Sequence, residues 1–139
     1  MVMRKYLLKN IQVVSQKNLD GRSGGWIDGE GDFGNLSWEL IHHVGQNFSV
    51  IRIKIETGKK HQIRNQLVLG GLGPLIGDTR YGYTGARPKG ISLQSIMLHA
   101  SKISFEHPTH HGEIVSASCG PTWPNEFVPI YLQGEGNKS

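Results

Sequence analysis

Residues 48–71 read FSVIRIKIETGKKHQIRNQLVLGG, and two periods meet inside them. Ile51, Ile53 and Ile55 alternate with Arg52, Lys54 and Glu56, which is the two-residue period of a strand with one dry face and one wet face. Thr57-Gly58 interrupts that strand. His61 to Leu69 then reads as a short helix, with Ile63 and Leu67 one turn apart on its buried face and Gly70-Gly71 as its stop. The three-residue spacing of His61 and Arg64 places both on another face of the same helix. Arg52 and Lys54 are read as a solvated strand surface, with phosphate contact as the alternative.

Working upstream, Trp38–Val44 is a second strand-like run, joined to the first by Gly45-Gln46-Asn47, a loop of hairpin length and composition. The glycine-rich and acidic stretch from Asp20 to Gly34 lacks an apolar period and is expected to be a long surface excursion. Tyr6 to Val14, rich in β-branched and apolar residues, predicts another strand. Downstream, residues 73–82 are dense in turn formers yet carry Asp78, Arg80 and Tyr81, the mixture of a contact loop. Ile96–Phe105 and Ile114–Ala117 predict a further hairpin across residues 108–112. The expected fold is α+β, a mixed and mostly antiparallel sheet with short flanking helices, in one domain over residues 1–133 followed by a flexible tail over 134–139.

The 139 residues suffice for one core, and 37% hydrophobic with 19% charged residues is a globular composition. Fifteen Lys and Arg against eleven Asp and Glu give a formal charge of +4, a surplus that favours a polyanionic partner without demanding one. The single cysteine, Cys119, excludes an internal disulfide and fits a reducing, intracellular setting, cytoplasmic or mitochondrial. No run reaches the roughly 18 apolar residues that read as a membrane span, so no membrane partner is expected. Seven histidines raise a metal reading, but His42 and His43 point to opposite faces of a strand, and His107, His110 and His111 have no nearby cysteine. No metal and no cofactor are expected, and no nucleophile elbow, phosphate loop or dinucleotide fingerprint occurs.

Thr57-Gly58-Lys59-Lys60-His61-Gln62-Ile63-Arg64 resembles the Thr-Gly-Arg-x-His-Gln-Ile-Arg signature of the pseudouridine synthases that modify ribosomal and transfer RNA, with Lys59 where that family usually has Arg. Further matches follow in the same order: Pro74-Leu75-Ile76-Gly77-Asp78 with Tyr81-Gly82, then Leu98-His99-Ala100 and Phe105-x-His107-Pro108. Upstream, Arg4-Lys5-Tyr6-Leu7 is similar to the family's Lys-x-Tyr-Leu strand.

The resemblance implies half of a pseudouridine synthase catalytic domain, its C-terminal half, and isomerisation of uridine in RNA without a cofactor. It places Tyr6 against the target base and Arg64 beside the catalytic aspartate, with Lys59, Lys60, His61, Gln62, Arg80 and Tyr81 as RNA-contacting residues. The family's aspartate lies in a motif before the Lys-x-Tyr strand, so the chain alone is expected to lack it and to be inactive. Asp20 in Leu19-Asp20-Gly21-Arg22-Ser23-Gly24 is a superficial substitute, read instead as part of a surface loop. Asp78 is expected to fix its own loop by accepting local backbone N–H bonds. Arg64 then needs another partner: an acidic residue of this chain, water, an RNA phosphate or a second polypeptide. Structured RNA, a chain supplying the missing half, a ribonucleoprotein or a homodimer are the expected partners. The alternative function is a non-catalytic RNA-binding component of ribosome assembly.

Overall fold

The computed structural model describes residues 6–15, 19, 21–31, 33–45, 48–55, 61–85, 87–89, 95–107, 109–110, 112–118 and 123–128. Strands β1 (Tyr6–Ser15), β2 (Gly24–Ile27), β3 (Leu36–Val44) and β4 (Phe48–Ile55) precede helix α1 (Gln62–Leu69), and β5 (Leu98–Glu106) and β6 (Ile114–Ser118) follow it. They form one sheet in the order β2-β3-β4-β1-β5-β6, antiparallel at every pairing. β1, the first strand in sequence, lies between β4 and β5 and so ties the early hairpin to the late one.

The isoleucine alternation sets the register. Leu36, Trp38 and Leu40 of β3 stand opposite Ile55, Ile53 and Ile51 of β4, and this apolar face receives Ile63 and Leu67 of α1. An isolated eight-residue helix is marginal in water, so packing holds α1 in place, with each buried aliphatic side chain contributing roughly 1.5–3 kcal/mol. Gly71, at φ 83°, closes the helix, and the Leu72 N–H returns to the Leu67 carbonyl at 2.9 Å. Ser49, Val50 and Ile51 are all buried, so this end of β4 is covered on both faces. Val50 joins a second cluster there with Ile76, Tyr83, Met97 and Phe127.

The stretch from Asp20 to Gly34 is not a plain excursion. Its Gly24–Ile27 segment forms the edge strand β2 on β3, and Leu19 just before it is in the core at 2% exposure. The glycines that hide a strand in the sequence are what the strand needs: a Cβ on Gly25 would meet Trp38 Nε1 at 2.7 Å. Asp20 and the 134–139 tail lie outside the described residues.

Candidate active site around Arg64

The signature segment delivers Arg64 on the first turn of α1, where Asp78 meets it in a forked pair. Arg64 Nε donates to Asp78 Oδ2 and Nη2 to Oδ1, both at 2.8 Å. Asp78 is 0% exposed and the Arg64 side chain 16% exposed, so the pair is largely withdrawn from water. The hydrogen bonds that Arg64 donates to Asp78, reinforced by the carboxylate's charge, raise Arg64 above the ordinary arginine pKa against the opposing effect of burial.

Asp78 therefore does not hold its loop through its carboxylate, as the sequence suggested. It makes no side-chain cap on the following 3-10 turn. Its main-chain carbonyl does the local work, accepting from the N–H groups of Tyr81 and Tyr83. The residues before it explain its position. Leu75 is buried in the helix-side core and Ile76 in the second cluster. The Met97 N–H donates to the Ile76 carbonyl at 3.0 Å. Gly77, at φ 89°, makes the reversal that turns Asp78 toward α1.

Tyr81 completes the site. Its ring lies 5.1 Å from the Arg64 guanidinium carbon, a cation–π distance. Its hydroxyl lies 3.3 Å from His61 Nδ1, and the two rings meet edge to face at 5.9 Å. His61 itself is at φ 56°, ψ 18°, a left-handed conformation unusual for a side-chain-bearing residue. Such strain costs on the order of 1 kcal/mol. A specific result follows: His61→Gly is expected to melt within about 1 kcal/mol of the parent, while His61→Ala, which keeps the strain and loses the contact, melts lower. Thermal unfolding of the two variants side by side checks this, and equal losses would contradict the strained geometry.

The other sequence-derived residues divide. Gln62 is 2% exposed and donates, with Gln66, to the Gly34 carbonyl, at 3.3 and 2.9 Å. Gln62 and Gln66 thereby clamp the 33–35 segment onto the helix. Arg80 is exposed beside Tyr81 on the 3-10 turn Thr79–Tyr81. Lys59 and Lys60 lie outside the described residues. Tyr6 opens β1 beyond the Leu8↔Ile55 pairing, in the direction in which β4 runs out toward α1.

The histidines part company as strand geometry requires. His42 Nε2 lies 2.9 Å from the Glu126 carbonyl oxygen and His43 Nδ1 3.0 Å from Ser49 Oγ. His107, His110 and Glu113 cluster with ligand-type atoms within 4.8 Å of one another. His107 Nδ1, however, accepts the backbone N–H groups of Thr109 and His110, both at 3.1 Å. The cluster is a turn brace.

No family model matches the chain. Curated relatives do match. The chain is 34% identical over 94 residues to ribosomal large subunit pseudouridine synthase D of Haemophilus ducreyi, a match covering 61% of this chain and 28% of that protein. It is 38% identical over 96 residues to an uncharacterized RNA pseudouridine synthase of Synechocystis, covering 69% of this chain and 28% of the relative. Its fold superposes on human RNA pseudouridylate synthase domain containing 1 with a TM-score of 0.64 at 20% identity, covering 88% of this chain and 58% of that one. The matched part is thus just over a quarter of each of those two curated relatives. In sequence the chain is thus similar to part of the RNA pseudouridine synthases, and it shares the fold of a pseudouridylate synthase domain.

Proposed function

We infer that this chain forms the Arg64 side of a site that isomerises uridine in structured RNA. The supporting observation is the chain of contacts that runs from buried Asp78 to Arg64, from Arg64 to the Tyr81 ring and from Tyr81 to His61, all within the motif matches. The reaction needs a carboxylate at the anomeric carbon of a flipped-out uridine, to break the N-glycosidic bond while the base turns and rejoins through carbon. Asp78 is not that group. Both its oxygens are engaged by Arg64 and it is fully buried, so it cannot approach a nucleotide. It is a positioning residue: two of the fork's N–H groups are fixed on Asp78, and the rest of the guanidinium keeps one orientation toward a base or a second carboxylate. Tyr6, the first residue of β1, is the proposed base-facing tyrosine on the strength of the Lys-x-Tyr-Leu match. Structured RNA is the partner, and a second polypeptide carrying the family's aspartate segment is the proposed complement.

The experiment is pseudouridine quantification on structured, uridine-rich RNA, for the 139-residue chain alone and mixed with a polypeptide supplying that segment, with Asp20→Ala alongside. Product is expected in the mixture, reduced about 10²–10³-fold by Arg64→Lys, whose ammonium cannot reproduce the fork. RNA binding with no product in either arrangement would defeat the isomerase reading. Product from the chain alone that Asp20→Ala abolishes would instead assign the nucleophile to Asp20.

A further inference from the structure

The sheet face opposite α1 carries a feature the Arg64 site does not use. Ile27 packs with the helix-side core, so its neighbour Trp26 projects from the other face, 62% exposed. Register continues that line across the sheet: Trp26 opposes Ser37 and Ser37 opposes Lys54, while Gly24, Glu39 and Arg52 form the next line. Cross-strand partners share a face, and two ladder steps set the Trp26 and Lys54 backbones about 10 Å apart.

Ser37 is short between two long side chains and Gly24 has none, so the face is not level. A depression of about 150 Å³ opens there, lined by Ser37, Trp38, Glu39, Arg52 and Lys54. Its wall is ordered, since Arg52 Nη1 donates to Glu39 Oε1 at 2.7 Å. Trp26 is restrained as well: its indole N–H donates to the Asp28 carboxylate at 2.8 Å, which satisfies the ring's polar atom within the chain. Its location matters too. The face is covered near Val50 by the second core cluster but exposed at Lys54, one residue before the end of β4.

We propose that this face binds an unpaired stretch of the RNA flanking the target uridine, with one base stacked on Trp26, a neighbouring base edge against Glu39 and Arg52, and a phosphate on Lys54. A restrained exposed indole supplies a stacking platform that any base can use. The ordered Arg–Glu pair offers both donors and an acceptor to a base edge, and Lys54 supplies a phosphate cation beside it on the same strand. The proposal rests on RNA being the substrate, and it extends that reading to a second surface.

Binding of a short uridine-rich single-stranded RNA, followed by anisotropy over a salt series, separates the two claims. Trp26→Ala is expected to weaken binding about 5- to 100-fold and Trp26→Phe by no more than about threefold, with melting unchanged. Lys54→Ala is expected to reduce the slope of log affinity against log salt by about 0.7. If Trp26→Ala binds like the parent while Arg80→Ala or Arg64→Lys weakens binding, the face is only a solvated strand surface and RNA recognition stands without it. If the parent chain binds no RNA even at low salt, the substrate reading fails first. A Trp26→Ala chain that changes its sedimentation but not its RNA affinity would make the face a protein contact and overturn the proposal.

Discussion

Arg64→Met is expected to lower the unfolding free energy by about 3–5 kcal/mol, the usual cost of removing one member of a buried ion pair. The substitution keeps most of the side-chain volume, so the loss reports the charge and not a cavity. It strands Asp78, which is fully buried and has both oxygens committed to Arg64. Asp78→Asn, which leaves a cation that is still 16% exposed, is expected to cost somewhat less. The double variant decides between a pair and two independent residues: its loss should fall short of the summed single losses by about 1–3 kcal/mol. Urea unfolding of the four proteins measures this coupling. Strict additivity would mean that the fork is not formed in solution.

Gly77→Ala is expected to be nearly as damaging, at roughly 2–4 kcal/mol, although it adds a single methyl group. Two penalties combine. At φ 89° an L side chain is strained, and the new Cβ would stand 2.0 Å from the Ser95 carbonyl oxygen. That oxygen also accepts from Arg87 Nη1, so relief requires backbone movement in a segment already held by Arg87. Because Gly77 immediately precedes Asp78, the same movement withdraws the carboxylate from Arg64. The variant is therefore expected to lose stability and the Arg64–Asp78 fork together. Gly82→Ala is the contrasting variant: its φ of 104° carries strain but nothing lies within 4 Å of the new Cβ, so the loss should be smaller. Equal losses at the two positions would show that the collision with Ser95 is not what matters.

The physical roles of the motif residues now differ from one another. In the loop motif, Leu75 and Ile76 anchor in two different cores, Gly77 supplies the turn and Asp78 the charge. In the signature, Gln62 clamps a neighbouring segment, Ile63 packs on the sheet and Arg64 carries the site.

Local periodicity determined much of this protein. The alternation of Ile51, Ile53 and Ile55 fixed β4 and its dry face, and Ile63 with Leu67 fixed the buried side of α1, because side-chain direction follows from backbone repeat alone. The hairpins of β3 with β4 and β5 with β6 were legible for the same reason. β2 was not, since an edge strand of Gly24-Gly25-Trp26-Ile27 carries no alternation and owes its form to the Trp38 ring it must pass. The partner of Arg64 was also beyond local reading. Asp78 lies fourteen positions further along, and nothing in the intervening chain specifies that both will be buried at the same point. Only the tertiary structure decides this, because a buried cation selects its counter-charge by proximity and the absence of water, and both arise only when the core closes.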